Sequence, residues 1–206
     1  DTEERRIGVS PEKKATLFSH RHIIKGSSSA LPFVSLNEHL CMEVTRRVMS
    51  AAPTRLSSDG QLLIVDRFDV DAEGRRFWGM EDFCVLLGLR PTAKYETTWE
   101  RIARAVRENV TVDRRAAIFK DMATLLLLTY ALRNADCHAK NVALRYTNLH
   151  DIHLAPAYDM ITTAAYPDYA NNPPGIPFMG KKTWKPGKHL QTFIAGVFGV
   201  PVREQA

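Results

Sequence analysis

NADCHAKN, residues 134–141, is the stretch on which the reading of this chain turns. It sets a carboxylate, Asp136, and a carboxamide, Asn141, five positions apart. It directly follows RRAAIFKDMATLLLLTYALRN (114–134), whose second half is apolar nearly all round. Such a helix runs through a core, so it gives the loop a rigid anchor. After the loop, NVALRY (141–146) and DIHLAP (151–156) read as strands with Asn148 in the turn between them. That hairpin returns Asp159 to the neighbourhood of Asn141, eighteen positions earlier. Phosphoryl transfer asks for such a set: a carboxylate to accept a hydroxyl proton, oxygen ligands for magnesium, and a lysine on the phosphate chain.

Upstream, KATLFSHRHIIK (14–25) reads as two short strands about Ser19-His20, and Gly26 to Ala30 as a small-residue loop. A helix follows, in which Leu36, Leu40, Val44 and Val48 recur every four residues. Ser35 and Glu38 have capping-box spacing. Glu38 is equally the kind of helix glutamate that pairs with a phosphate-binding lysine such as Lys25. LLIVDRF (62–68) is a strand suited to a sheet interior, and Asp71 to Gly74 is a turn. From residue 79 the texture turns helical. MEDFCVLLGL (80–89) reads as a short helix stopped by Gly88, and TTWERIARAVREN (97–109) carries Trp99, Ile102, Ala103 and Val106 on one face. The tail from Pro167 to Lys188, rich in Pro, Gly and Lys, reads as loop. The expectation is an α+β, two-lobed fold: a small sheet-containing lobe over 1–70, and a mainly helical lobe over 71–206.

The 206 residues fit one domain or two small lobes, and an apolar share of 45% suffices for a core. The first ten residues, DTEERRIGVS, carry no apolar run, and the most apolar window, Ala123 to Leu132, is too short to span a bilayer. Cys41, Cys84 and Cys137 are odd in number and scattered, which argues against a disulfide framework and for a reducing cytoplasmic setting. Lys and Arg exceed Asp and Glu by 28 to 23, an excess that suits an anionic partner without choosing among nucleotide, nucleic acid and acidic protein.

NADCHAKN and LAPAYDM (154–160) resemble the two signature segments of HipA-type serine/threonine kinases, toxins of bacterial toxin–antitoxin systems. HIIK (22–25), VDRFD (65–69) and ED…KYE (81–96) match in the same order, so the resemblance spans roughly residues 7–200. It implies a protein-kinase-like fold that uses ATP and Mg2+. It makes Asp136 the catalytic base, with His138 and Lys140 beside it, Lys140 neutralising the transferring phosphoryl group. Asn141 and Asp159 become the magnesium ligands and Lys25 the phosphate ligand. Asp66, Arg67 and Phe68 become the linker that meets adenine, mostly through backbone, and Tyr158 packs on the nucleotide. It further implies a helix-turn-helix, HipB-like antitoxin, contact with DNA only through that antitoxin, and no membrane. The substrate would be a protein such as an aminoacyl-tRNA synthetase, whose phosphorylation blocks translation and favours persistence.

The chain departs from the family pattern near its start. RRIGVSPEKK (5–14) offers one glycine, Gly8, and one serine, Ser10, as the autophosphorylation site. The chain resembles the short type without a preceding subdomain, or a piece truncated at its C-terminus.

Other readings compete. An inactive kinase-like co-repressor bound to the antitoxin would not need Lys25, Asp136, Asn141 and Asp159 together. A small-molecule phosphotransferase shares the metal logic and is set aside only by the resemblance. Cys137, His138, His150 and His153 lack zinc-site spacing. Cys137 reads as a small buried thiol, and KKTWKPGK (181–188) as a solvated loop sooner than a nucleic-acid contact.

Overall fold

The computed structural model describes residues 16–185 and 187–205. A four-stranded antiparallel sheet, in the order β1-β2-β4-β3, opens the described chain. Its strands are β1 (Thr16–Phe18), β2 (His22–Gly26), β3 (Thr54–Leu56) and β4 (Leu62–Asp66). Ser19 sets the first turn: its hydroxyl accepts the His22 N–H at 2.9 Å. The β2–β4 register places Ile24 opposite Ile64 and Lys25 opposite Leu63, which is fully buried.

Helix α1 (Val34–Arg46) packs on this sheet, but the expected capping box does not form. The N-cap is Phe33, in the left-handed region at φ 58°, with no side-chain cap. Ser35 lies inside the helix and donates to the Gln61 carbonyl at 2.9 Å, while Glu38 reaches Lys25. The four-residue repeat faces the other way from the core. Val34, Ser35, Glu38, Cys41, Met42 and Thr45 are buried, whereas Leu36, Leu40 and Val44 are exposed, as is Val48 beyond the helix end. The buried face carries polar groups because it must house a lysine–glutamate pair, which displaces the apolar stripe outward.

A second antiparallel sheet, β5-β6-β7, joins β5 (Gly79–Asp82), β6 (Ala143–Tyr146) and β7 (Ile152–Leu154). The expected β6–β7 hairpin is present, and β5 is a correction. MEDFCVLLGL begins as a strand, with Glu81 opposite Leu144, and becomes helix only over α2 (Phe83–Leu86). Asp82 makes the switch, its carboxylate accepting the Val85 N–H at 2.9 Å as an N-cap. Local periodicity could not see this strand, because its ladder partner lies some sixty residues downstream.

α3 (Trp99–Asn109) and α4 (Val112–Ala131) carry most of the core. Trp99, Ile102, Met122 and Leu126 are wholly enclosed with Phe83 and Phe193. Each such side chain contributes roughly 1.5–3 kcal/mol. The tail is loop as expected up to α5 (Lys188–Phe193), a helix absent from the sequence reading, which runs into a wider turn over Ile194–Phe198. Its Phe193 and Ile194 close the core beside Trp99. No helix among the described residues is long and apolar enough to cross a membrane.

Two ties connect the halves behind the site. Ala51 and Ala157 form an isolated parallel bridge, with Ala52 N–H donating to the Ala157 carbonyl and Ala157 N–H to that of Ser50, both at 2.9 Å. The Asn37 side chain bonds both the carbonyl and the N–H of Thr162, at 2.9 Å each. The segment carrying Asp159 is thereby fastened beneath α1.

Candidate active site

Lys25 stands near the end of β2, largely buried, and its ammonium donates to Glu38 of α1 at 2.6 Å and to Asp159. Burial alone would push its pKa down, but the Glu38 and Asp159 carboxylates outweigh that and hold it above the usual value. Of the two readings of Glu38, the lysine pair is the one the fold adopts. A buried ammonium requires such partners, since removing one leaves an uncompensated charge. Asp159 itself is in the left-handed region at φ 54°, a conformation that aspartate tolerates better than most residues and that recurs at functional sites.

The loop after α4 is held by its own side chains. Asn134, buried, accepts the Asp136 N–H at 3.1 Å, and the Asn141 amide donates to the Asp136 carbonyl at 3.2 Å. Thr163 accepts from the Ala135 N–H at 3.1 Å and donates to the Arg133 carbonyl at 2.7 Å, pinning the loop to the segment after Asp159. The Asp136 carboxylate is half exposed and accepts a hydrogen bond from the Tyr95 hydroxyl. Through its bond to the Asp136 carbonyl, Asn141 is held on the same loop as Asp136. The Asn141 amide oxygen and the Asp159 carboxylate are the hard donors that magnesium prefers, so the residues fit such an ion.

His138 is buried, its Nε2 2.7 Å from the Lys94 ammonium and 4.0 Å from the Asp136 carboxylate. An ammonium only donates, so Nε2 accepts and the ring proton sits on Nδ1. Burial pushes the imidazole pKa down and Lys94 adds to that, against the pull of Asp136. His138 is therefore a neutral acceptor that orients Lys94. Lys140 lies exposed, and its carbonyl accepts from the Tyr158 hydroxyl at 2.7 Å.

Lys94 and Tyr95 were quoted in the sequence only as part of a motif, with no role. They come from the loop before α3, and the Lys94 carbonyl also accepts the Ala139 N–H at 3.0 Å. The signal that could have found them was the adjacent cation and hydroxyl of KYE, but the approach to Asp136 spans 41 residues.

A cavity of about 630 Å3 opens between the sheets, lined among others by Ile23, Lys25, Val65, Phe68, Tyr158 and Asp159. Its size is that of a small-molecule site. Phe68 and Tyr158 stand 5.8 Å apart, ring centre to ring centre, as an apolar wall. Asp66 and Arg67 also line it, but their side chains are engaged elsewhere. Asp66 pairs with Arg55 at 3.0 Å, and Arg67 grips Asp69 through two bonds of 2.9 and 2.6 Å. Their N–H groups reach the carbonyls of Pro53 and Arg21.

The remaining sequence candidates fall outside the site. Ser10 lies outside the described residues. Cys137 is fully buried, which pushes its thiol up to about 12, far from a nucleophile. His153 pairs with Asp151 at 2.8 Å. Trp184 donates to the Asn172 carbonyl at 2.7 Å and packs on Tyr130 and Arg133, so the lysine-rich loop is built into the structure through it. Among the described residues no group of three or more His, Cys, Asp and Glu could hold a metal.

The architecture agrees with what comparison with known proteins finds. The family described as the HipA-like C-terminal domain matches residues 8–205. The chain belongs to that family. Relatives of this HipA-like chain include two Sinorhizobium fredii proteins named as candidate kinases. Y4mE is 32% identical over 71% of this chain, and Y4dM is 31% identical over 52%. The HipA-like chain spans only 37% and 25% of their respective lengths. Among solved structures, HipA of Shewanella oneidensis, in complex with HipB and operator DNA, matches at TM-score 0.69 and 21% identity. That match covers all of this chain and 55% of the other. The Helicobacter pylori kinase CtkA matches at TM-score 0.52 and 14% identity, over 77% of this chain and 56% of its own. The fold is the α+β, kinase-like one expected from the sequence.

Proposed function

We propose that this domain transfers the γ-phosphoryl group of ATP to a serine or threonine hydroxyl of a protein. The observation that carries the reading is the buried Lys25–Glu38–Asp159 cluster at the edge of a nucleotide-sized cavity, with Asp136 and Asn141 on the adjoining loop. Lys25 meets the phosphates, its ammonium fixed by Glu38. Adenine lies between the β-sheet wall of Ile23 and Val65 and the Phe68–Tyr158 pair, with its polar edge on the backbone around Phe68. Asn141 and Asp159 hold magnesium, which screens the phosphate charge when bound. The acceptor hydroxyl donates its proton to Asp136 as its oxygen bonds to phosphorus and the bond from phosphorus to the ADP oxygen breaks.

The lobes run over 1–70 and 71–206, with 66–68 as the linker. Lys140, on the exposed side of the loop, neutralises charge on the transferring group, and Ser10 is the site of autophosphorylation. In a bacterial cytoplasm the domain acts as the toxin of a toxin–antitoxin pair. This assignment draws on the HipA–HipB–operator complex of the Shewanella relative and on the sequence resemblance. The antitoxin is then a helix-turn-helix protein through which DNA is met indirectly. The target is a translation protein such as an aminoacyl-tRNA synthetase. A pure co-repressor would have no need for the buried lysine cluster, whose charges are costly to desolvate.

Incubation with γ-labelled ATP, magnesium and a bacterial lysate tests the reading. Label should enter one or a few proteins with wild type and none with Asp136→Asn. Equal labelling by the two would refute it.

A further inference from the structure

We propose that the acceptor polypeptide is bound through apolar side chains beside its serine or threonine, in a groove formed by the α1 N-terminus and the segment 161–169. The proposal rests on the reading of Asp136 as the base and deepens it. Asp136 does not line the nucleotide cavity. It lines a second one, of about 250 Å3, together with Leu31, Val34, Tyr95, Ile161 and Tyr166. A base that takes a proton from an acceptor must open on the side from which the acceptor comes, and this is that side. The Tyr95 hydroxyl already donates to Asp136 there, and so occupies the contact that an acceptor hydroxyl makes.

A second groove of about 480 Å3 adjoins this cavity, the two sharing Tyr166 and Tyr169 in their walls. The groove is walled by Pro32, Phe33, Leu36 and Leu40, and among the described residues the one charged residue in its lining is Asp168. Here the outward stripe of α1 acquires a use. Phe33 is 63% exposed and Leu40 55%, large apolar groups held in water next to the site. Phe33 is also held at φ 58°, a conformation that bulky residues avoid, and it begins the helix without a capping side chain. Strain of this kind persists where the position is used. A chain threading from Asp136 along Tyr166 toward Leu40 meets apolar surface and almost no charge. Its chemistry is therefore that of Leu, Ile, Val or Phe within a few residues of the phosphorylated hydroxyl. During transfer the hydroxyl proton passes to Asp136, the oxygen–phosphorus bond forms and ADP leaves.

A degenerate peptide library around fixed serine or threonine, incubated with the protein and magnesium ATP and read by mass spectrometry, tests this. Apolar residues should be enriched on one side of the labelled position. For the best peptide, the pair Leu36→Glu with Leu40→Glu should raise KM about tenfold with kcat little changed. Val112→Glu, the same charge change on an exposed residue at the start of α4, should leave that KM alone. A charged preference, no preference, no labelled peptide from an enzyme that labels itself or a protein, or an unmoved KM in the double variant would each overturn the groove. A protein that transfers phosphate to nothing at all, or an Asp136→Asn variant as active as wild type, overturns the kinase reading and the groove with it.

Discussion

Asp136 and His138 stand two residues apart and take opposite roles, decided by what touches each. Asp136 keeps a half-exposed carboxylate on a cavity apart from the one that Lys25 lines. Asp136→Asn keeps the side-chain shape and removes the proton acceptor. Transfer should fall by about 10²–10⁴-fold, while the thermal shift on adding magnesium ATP persists. Single-turnover rates with labelled ATP measure the first and a melting scan the second. His138 is neutral and buried, with its pKa held below 6.5 by that burial. The unfolded chain therefore binds the proton first as pH falls, and stability is lost on acidification through the unfolded value, levelling off below the folded one. His138→Gln keeps a neutral acceptor for Lys94 and removes the titration. The acid limb of its melting-temperature profile, below about pH 6.5, should be flatter than that of wild type. Lys25 has the opposite sign. Its raised pKa gives stability that is full below 10.5 and lost only as pH climbs through the folded value, so it does not shape the acid limb.

Among the elements, the catalytic loop depends on a segment with no regular structure. Gly175, after Pro173 and Pro174, passes so close behind it that an added Cβ would lie 2.3 Å from the Cys137 carbonyl oxygen and 2.8 Å from that of Ala135. Both are backbone atoms and cannot swing aside. Gly175→Ala should cost roughly 1–3 kcal/mol of stability, as overpacking does. By moving Asp136 and Asn141 it should also lower kcat more than it alters nucleotide affinity. Urea titration and steady-state kinetics check the two parts, and a fully stable, fully active variant would refute the contact. α1 shows the reverse case, a regular element whose surface misleads. Its repeat of Leu36, Leu40 and Val44 has the spacing of a core face, yet the face turned inward carries Ser35, Glu38 and Thr45. Once Lys25 and Glu38 are paired inside, the helix rotation is fixed, because a separated buried lysine and glutamate would cost more than three exposed aliphatic groups.

At the scale of the whole molecule, nucleotide binding should tie the two sheets together, since Lys25 comes from one side of the cavity and Tyr158 and Asp159 from the other. Magnesium ATP at about 100 times its Kd should stabilise the fold by about 2.7 kcal/mol through mass action. Asp159→Asn should weaken the proposed magnesium site together with the lysine cluster, so its melting shift should be smaller. An equal shift in the two proteins would remove Asp159 from the nucleotide site.

By itself the sequence determined the main local elements and the family. The buried helix before NADCHAKN, the hairpin after it and the central strand LLIVD follow from periodicity and turn residues, which act over a few neighbours. The signature segments likewise pointed to the family, and with it the kinase-like fold, before any coordinate. What only the tertiary structure decided involves partners distant along the chain. Lys25 meets Glu38 and Asp159 across 13 and 134 residues, β5 exists because β6 pairs with it, and Tyr95 reaches Asp136 from before α3. The physical reason is the same in each. A buried charge, a strand edge and a half-exposed carboxylate all need partners, and local pattern cannot say which distant residue will supply them.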